Sequence, residues 1–200
     1  MRGRLLVGVM GVLLAWGSAA EAQSWMAGTS VGVAKQYDYE VGGPIDNRDE
    51  TDTALRVFGG YQFHPNMAVV VSYVDLGAGN YDGPAFGGFT DKLTADGFDF
   101  SFVGGFAPGE QKRFRTFGTI GFFRWKQKVS YRDTSGFYPY DDSGTSLSFG
   151  LGCEVTIDEG GHWGVHFDYQ RFKDVGDKNN SGHEYDRSML SVGVQYRFGK

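Results

Sequence analysis

Along most of this chain, apolar side chains fall at every second position. Residues 145–157 show it without a break. Leu147, Phe149, Leu151, Cys153, Val155 and Ile157 share one face, with Ser146, Ser148, Gly150, Gly152, Glu154 and Thr156 on the other. Successive side chains of a strand point to opposite faces, so this period predicts a strand with one apolar and one polar or small face. The pattern returns at 24–35 (Trp25, Ala27, Thr29, Val31, Val33), 53–63 (Leu55, Val57, Tyr61, Phe63) and 67–76 (Met67, Val69, Val71, Tyr73). It returns again at 95–106 (Phe98, Phe100, Phe102, Phe106), 163–173 (Trp163, Val165, Phe167, Tyr169) and 187–198 (Leu190, Val192, Val194, Tyr196, Phe198). Residues 114–127 are also strand-like, but their phase is open, because Phe117 and Phe123 oppose Phe114, Ile120 and Phe122. The expected fold is all-β, with eight strands of roughly ten residues, each long enough to cross a bilayer when tilted.

The connections predict how the strands are joined. Those after the second, fourth and sixth strands are short: His64-Pro65-Asn66, 107–113 and 158–162. Those after the first, third, fifth and seventh are long and polar: 36–52, 77–94, 128–144 and 174–186. Short turns at one end and long loops at the other mark an antiparallel up-and-down transmembrane barrel, with both termini on the periplasmic, short-turn side. Trp25, Phe63, Phe106, Phe114, Trp163 and Phe198 fall at the short-turn ends, and Tyr37, Tyr73, Phe98, Trp125 and Tyr169 toward the other. Rings at both levels are expected as two interfacial girdles. A soluble barrel would instead bury Phe100, Phe102, Phe149 and Phe167 and expose Asp99, Glu154 and Asp168, which the loop asymmetry and the girdles argue against.

The N-terminus adds an export reading. Arg2 and Arg4 precede an apolar run, Leu5 to Trp16, which is followed by Ala20-Glu21-Ala22. This is the layout of a cleavable leader, too short to span a membrane as a helix, so cleavage is expected after Ala22. The domain expectation is therefore a leader at 1–22 and a barrel at 23–200. Abundant aromatics and 32 Gly against 5 Pro suit strands and tight turns. The net charge of −5 becomes −6 once Arg2, Arg4 and Glu21 are removed, which makes nucleic acid a poor partner. Cys153 is the sole cysteine, so no internal disulfide is expected, and its place on the apolar face points it to lipid.

Several stretches resemble a known family. Gly60 to Gly77 (GYQFHPNMAVVVSYVDLG) is similar to the second hairpin of the OmpA-like transmembrane barrels. Gly150 to Val155 with Trp163 to Tyr169 resembles that family's sixth and seventh strands, and Ser191 to Phe198 its closing strand. The resemblance spans the mature chain and implies an outer-membrane barrel of a Gram-negative bacterium among lipids and lipopolysaccharide. It also implies a terminal aromatic read by the barrel-assembly machinery. Val70 and His166 stand where members commonly carry Glu and Arg of an internal charged network, so that network is expected to be thinner here.

For chemistry, the inward face collects Arg56, Gln62, Asp99, Ser101, Glu154, His166, Asp168, Gln170, Gln195 and Arg197. An eight-stranded barrel is about wide enough for side chains to fill, so these residues are expected to pair as a polar core. If Ile157 opposes Trp163, Glu154 opposes His166, close enough for an ion pair. His166 and Asp168 also invite an enzyme reading. A nucleophile aligned beside the base is required for that and is not evident, while His64, His162 and His183 are scattered in turns and a loop. No metal-ligand spacing appears, and the acidic loop 36–52 breaks the D-x-D-x-D-G pattern of a calcium loop, so no metal or cofactor is expected. Loop 128–144 holds Phe137, Tyr138, Tyr140, Asp141 and Asp142, aromatics beside acids that suit recognition of an extracellular ligand or host surface. The reading is a structural and surface-interaction barrel presenting four loops. A narrow porin is the alternative and an outer-membrane lipid hydrolase the third.

Overall fold

The computed structural model describes residues 23–37, 47–83, 89–108, 113–133, 136–177 and 183–199; the leader expected at 1–22 lies outside them. Eight long strands make up the fold: β1 (Ser24–Gln36), β2 (Thr51–His64), β3 (Met67–Gly83), β4 (Phe89–Phe106), β5 (Phe114–Asp133), β6 (Gly136–Thr156), β7 (Trp163–Asp177) and β8 (His183–Phe198). Each pairs antiparallel with its neighbour in sequence. β8 closes on β1 from Trp25↔Phe198 to Gln36↔Arg187, making a barrel. A three-residue strand, Asn47–Asp49, adds onto β3 at Asn80–Asp82.

The outward face is an apolar belt. Trp25, Val57, Phe100, Phe102, Ile120, Phe122, Leu151, Phe167 and Val192 all stand exposed, where a water-soluble protein would bury them. At the turn end, Asp158 ties the β6–β7 connection by accepting the His162 and Trp163 amides at 3.0 and 2.6 Å. Ile157 N donates to the Trp163 carbonyl, the register anticipated for that turn.

The other end differs from expectation. The described residues of segment 128–144, read as a loop, are ladder: β5 and β6 pair without a shift from Phe114↔Val155 to Asp133↔Gly136. β3 and β4 likewise pair up to Gly83↔Phe89, and β7 and β8 up to Asp177↔His183, so the loops read at 77–94 and 174–186 are also largely strand. The cause is a change of surroundings along one unbroken strand. Within the belt the apolar side faces outward to lipid; beyond it, where the outer face meets water, the apolar side faces inward. β5 carries both regimes, with Phe114, Ile120 and Phe122 outward and Phe123, Trp125 and Val129 buried inside. This fixes the phase left open in the sequence and corrects the girdle assignment of Trp125, which is 2% exposed in the lumen.

Two bulges bend the wall where it leaves the belt toward the hairpin end. On β3 the register shifts between Asp75 and Ala78. Gly77 sits there at φ 66°, where a Cβ would come within 2.7 Å of Asp52 Oδ2. The Gly77 and Ala78 amides donate to Asp75 and Asp52 at 2.9 and 2.7 Å. On β7 the shift lies between Phe172 and Val175, with Asp174 at φ 53° and its amide donating to Asp186 at 3.2 Å. Bulges of this kind increase local twist and re-aim the strand.

Candidate functional site

The lumen is layered. Nearest the turn end, Arg197 binds Glu154 in a buried ion pair. Glu154 is the register partner of His166, as expected, but its charge is met by Arg197 from β8, beyond β7. Gly164 of β7 makes this possible, because a Cβ there would lie 2.6 Å from Glu154 Oε1. Arg115, absent from the inward set read in the sequence, is buried beside this pair and feels the Glu154 charge, yet its Nε and Nη2 have no hydrogen-bond partner. The ambiguous phase of β5 hid it.

The middle layer is one connected network. Arg56 donates to Asp168 at 2.8 Å and to Gln170 at 3.1 Å, and its Nη2 lies 3.4 Å from His166 Nε2. Ser191 donates to Asp168 at 2.9 Å. Gln170 donates in turn to Asp99 at 3.1 Å, and the Ser101 and Ser148 hydroxyls donate to the same carboxylate. The His166 ring packs edge-on against Phe58 with centroids 5.4 Å apart. Gln62 turns back onto the His64 and Pro65 carbonyls at 3.2 and 2.9 Å, near the turn end. Gln195 lines, with Arg115, Glu154 and His166, an internal cavity of about 60 Å³, room for a few water molecules.

Above the network the lumen becomes apolar. Ala34, Ala54, Val74, Leu76, Ala95, Phe123, Trp125, Phe172, Val175 and Met189 pack into one cluster across it, with Phe123 and Phe172 rings 4.5 Å apart. The Trp125 indole is satisfied there by donating to Ser146 at 2.8 Å, whose hydroxyl passes to the Asp174 carbonyl. A second cluster, Tyr81, Leu93, Val129 and Tyr185, fills the barrel higher still. Residue-by-residue alternation could not reveal these plugs, since they are assembled from inward positions of many strands.

At the hairpin end the five aromatic and acidic candidates separate. Phe137 and Tyr138 are 53% and 51% exposed, and Asp141 is exposed as well. Tyr140 packs against the upper apolar cluster, and Asp142 turns inward, accepting the Ser143 amide at 2.7 Å. Both face the barrel axis because they alternate with exposed Asp141. On β8, burial favours protonation of Asp186, but Lys173 at 2.6 Å, the Asp174 amide and Arg171 at 2.5 Å prevail and hold its carboxyl below the usual carboxylate range.

The family model of the OmpA-like transmembrane domain matches residues 20–200. The chain belongs to that family. Outer membrane protein A of Salmonella typhi is 28% identical over 187 residues, covering 92% of this chain and 51% of that protein. The chain thus spans about half the length of the curated relatives it matches. Among solved structures, Neisserial surface protein A superposes with a TM-score of 0.61 at 15% identity, covering 89% of this chain and all of that one. The N-terminal barrel of Pseudomonas aeruginosa OprF gives 0.52 at 13%, with 89% of this chain and 100% of that one covered. This OmpA-like barrel is an outer-membrane protein of a Gram-negative bacterium, and its apolar belt faces the lipid of that membrane.

Proposed function

We propose that this OmpA-like barrel is a closed structural element of the cell envelope that acts at its outer rim and not through its lumen. The observation that carries this reading is the apolar plug at Phe123, Trp125, Phe172 and Met189, stacked on a polar network that joins Arg56, Asp168, Gln170 and Asp99. Water and ions crossing that layer would lose hydration without gaining polar partners. The hairpin end faces outside and both termini lie in the periplasm, in keeping with short turns at one end only. Phe198 closes β8 as the aromatic read by the barrel-assembly machinery. Phe137, Tyr138 and Asp141, at the tip of the longest hairpin, form the surface offered to an extracellular ligand or host surface.

A narrow porin is the second reading, favoured by the internal cavity; none of that cavity's lining residues, however, belongs to the plug. Planar-bilayer recordings of the purified barrel distinguish the two. The closed barrel gives a flat trace, and regular conductance steps from the wild-type protein would end this proposal.

A further inference from the structure

Beyond the apolar belt the outward face of β5 turns basic. Phe122 is its last lipid-facing ring, and Arg124, Lys126 and Lys128 follow on the same face at every second position. No register shift with β6 interrupts this stretch, so nothing rotates the three cations away. Their Cα positions span about 13 Å at strand spacing. Lys92 of β4, beside Ser130 in the register, adds an exposed cation to the same face. Directly beneath lie large apolar groups: Phe98 faces Arg124 across β4 and β5, and Leu147 pairs with Phe122.

Three other cations of this rim are neutralised. Lys35 lies 4.0 Å from Glu50, and Arg171 and Lys173 share Asp186. Among the described residues, Lys92, Arg124, Lys126 and Lys128 enter no ion pair. Arg124 donates to the neutral Thr145 hydroxyl at 3.2 Å. Asp96, opposite Lys126, accepts the Tyr73 hydroxyl at 3.1 Å, and Asp141 opposite Lys128 makes no ion pair with it. In a chain of net charge −5, a ladder of four cations facing only the two carboxylates of Asp96 and Asp141, directly above acyl-facing rings, leaves an excess of positive charge that complements anionic groups at the membrane surface.

We propose that Arg124, Lys126, Lys128 and Lys92 dock the phosphorylated headgroup of an outer-leaflet glycolipid whose acyl chains lie on Phe98, Phe122 and Leu147. This rests on the reading that the hairpin end faces outside. The probe is a diphosphorylated disaccharide lipid, added to the detergent-solubilised full chain and followed by native mass spectrometry. Wild-type protein retains it and releases the dephosphorylated form. The Lys126→Gln/Lys128→Gln variant binds it on the order of tenfold to thirtyfold more weakly, the attraction of two cations near an anionic surface. Lys35→Gln, across the barrel, binds it as wild type does. A heat-dependent gel shift verifies that each variant is folded. Equal retention by the double variant, equal retention of the dephosphorylated lipid, or displacement of the lipid by inorganic phosphate would each overturn the proposal. Orientation is read separately, by labelling Phe137→Cys in a Cys153→Ala background on intact cells with an impermeant maleimide. Absence of labelling there would defeat the outward placement, whereas loss of lipid selectivity in detergent would defeat the ladder.

Discussion

Arg197 and Glu154 test how much the lumen depends on paired charge. Arg197→Met leaves a carboxylate enclosed among protein groups. Removing one partner of a buried ion pair costs about 3–5 kcal/mol, because the remaining charge has neither water nor counter-ion. Arg115 changes that figure here: it is buried beside Glu154 and holds two N–H groups without partners. After Arg197→Met it can turn to the stranded carboxylate, so the single variant is expected at about 2–3 kcal/mol, below the full penalty. Arg115→Met/Arg197→Met removes that rescue and restores the full loss. Glu154→Leu/Arg197→Met replaces the pair with apolar groups of similar size and should recover most of the stability, as buried pairs often allow. Gly164→Ala gives an independent check without touching a charge, since its Cβ would displace Glu154 Oε1 from the path to Arg197. Reversible urea unfolding in lipid vesicles, followed by tryptophan emission and the heat-dependent gel shift, measures each difference. If the Arg197→Met and Glu154→Leu effects simply add in the double variant, the two residues are not coupled and the layered lumen is wrongly described.

The remaining expectations concern the plug, the girdles and the rim. Phe123→Ala should cost about 3–5 kcal/mol by leaving a cavity against Phe172, and Phe123→Ala/Phe172→Ala should also admit small conductance steps in bilayer recordings. A double variant that stays fully stable and silent would show that these rings do not close the barrel. In variants keeping a single tryptophan, brominated lipid should quench Trp25 and Trp163 strongly and Trp125 weakly, as their exposures of 66%, 47% and 2% require; equal quenching would return Trp125 to the girdle. Asp186 has a depressed folded-state pKa, so its contribution is complete above the ordinary carboxylate value and fades as pH falls through the lower folded value. Protection against hydrogen exchange, taken relative to the intrinsic amide rate at each pH, should therefore fall at residues 171–175 and 184–188 on acidification below about pH 4, and Asp186→Asn should show the lower protection at every pH. Phe137→Ala/Tyr138→Ala should leave the gel shift intact while abolishing adhesion of barrel-displaying cells to any surface the wild type recognises; unchanged adhesion would remove that tip from the proposed function.

What the sequence determined by itself was the wall. A period of two is imposed by strand geometry, and lipid on one side makes it legible at Leu147 to Ile157, Phe98 to Phe106 and Leu190 to Phe198. Short turns at His64-Pro65-Asn66 and 158–162 then dictated an up-and-down order, and the same alternation placed Arg56, Asp99, Glu154, His166 and Asp168 inside. Tertiary structure alone decided which charges meet. Glu154 reaches Arg197 over Gly164 because the curved wall brings β8, the next strand beyond β7, within reach, an adjacency separated by many residues in sequence. It also decided that Phe123, Trp125, Phe172 and Met189, from three strands, form one plug. The hairpin end escaped the pattern for a physical reason: once a strand leaves lipid its outer face meets water, so the apolar side moves inward while the chain itself keeps its phase. Alternation reports that a residue changes face relative to its neighbour, but only the surrounding medium says which face is apolar, and that medium changes partway along β5.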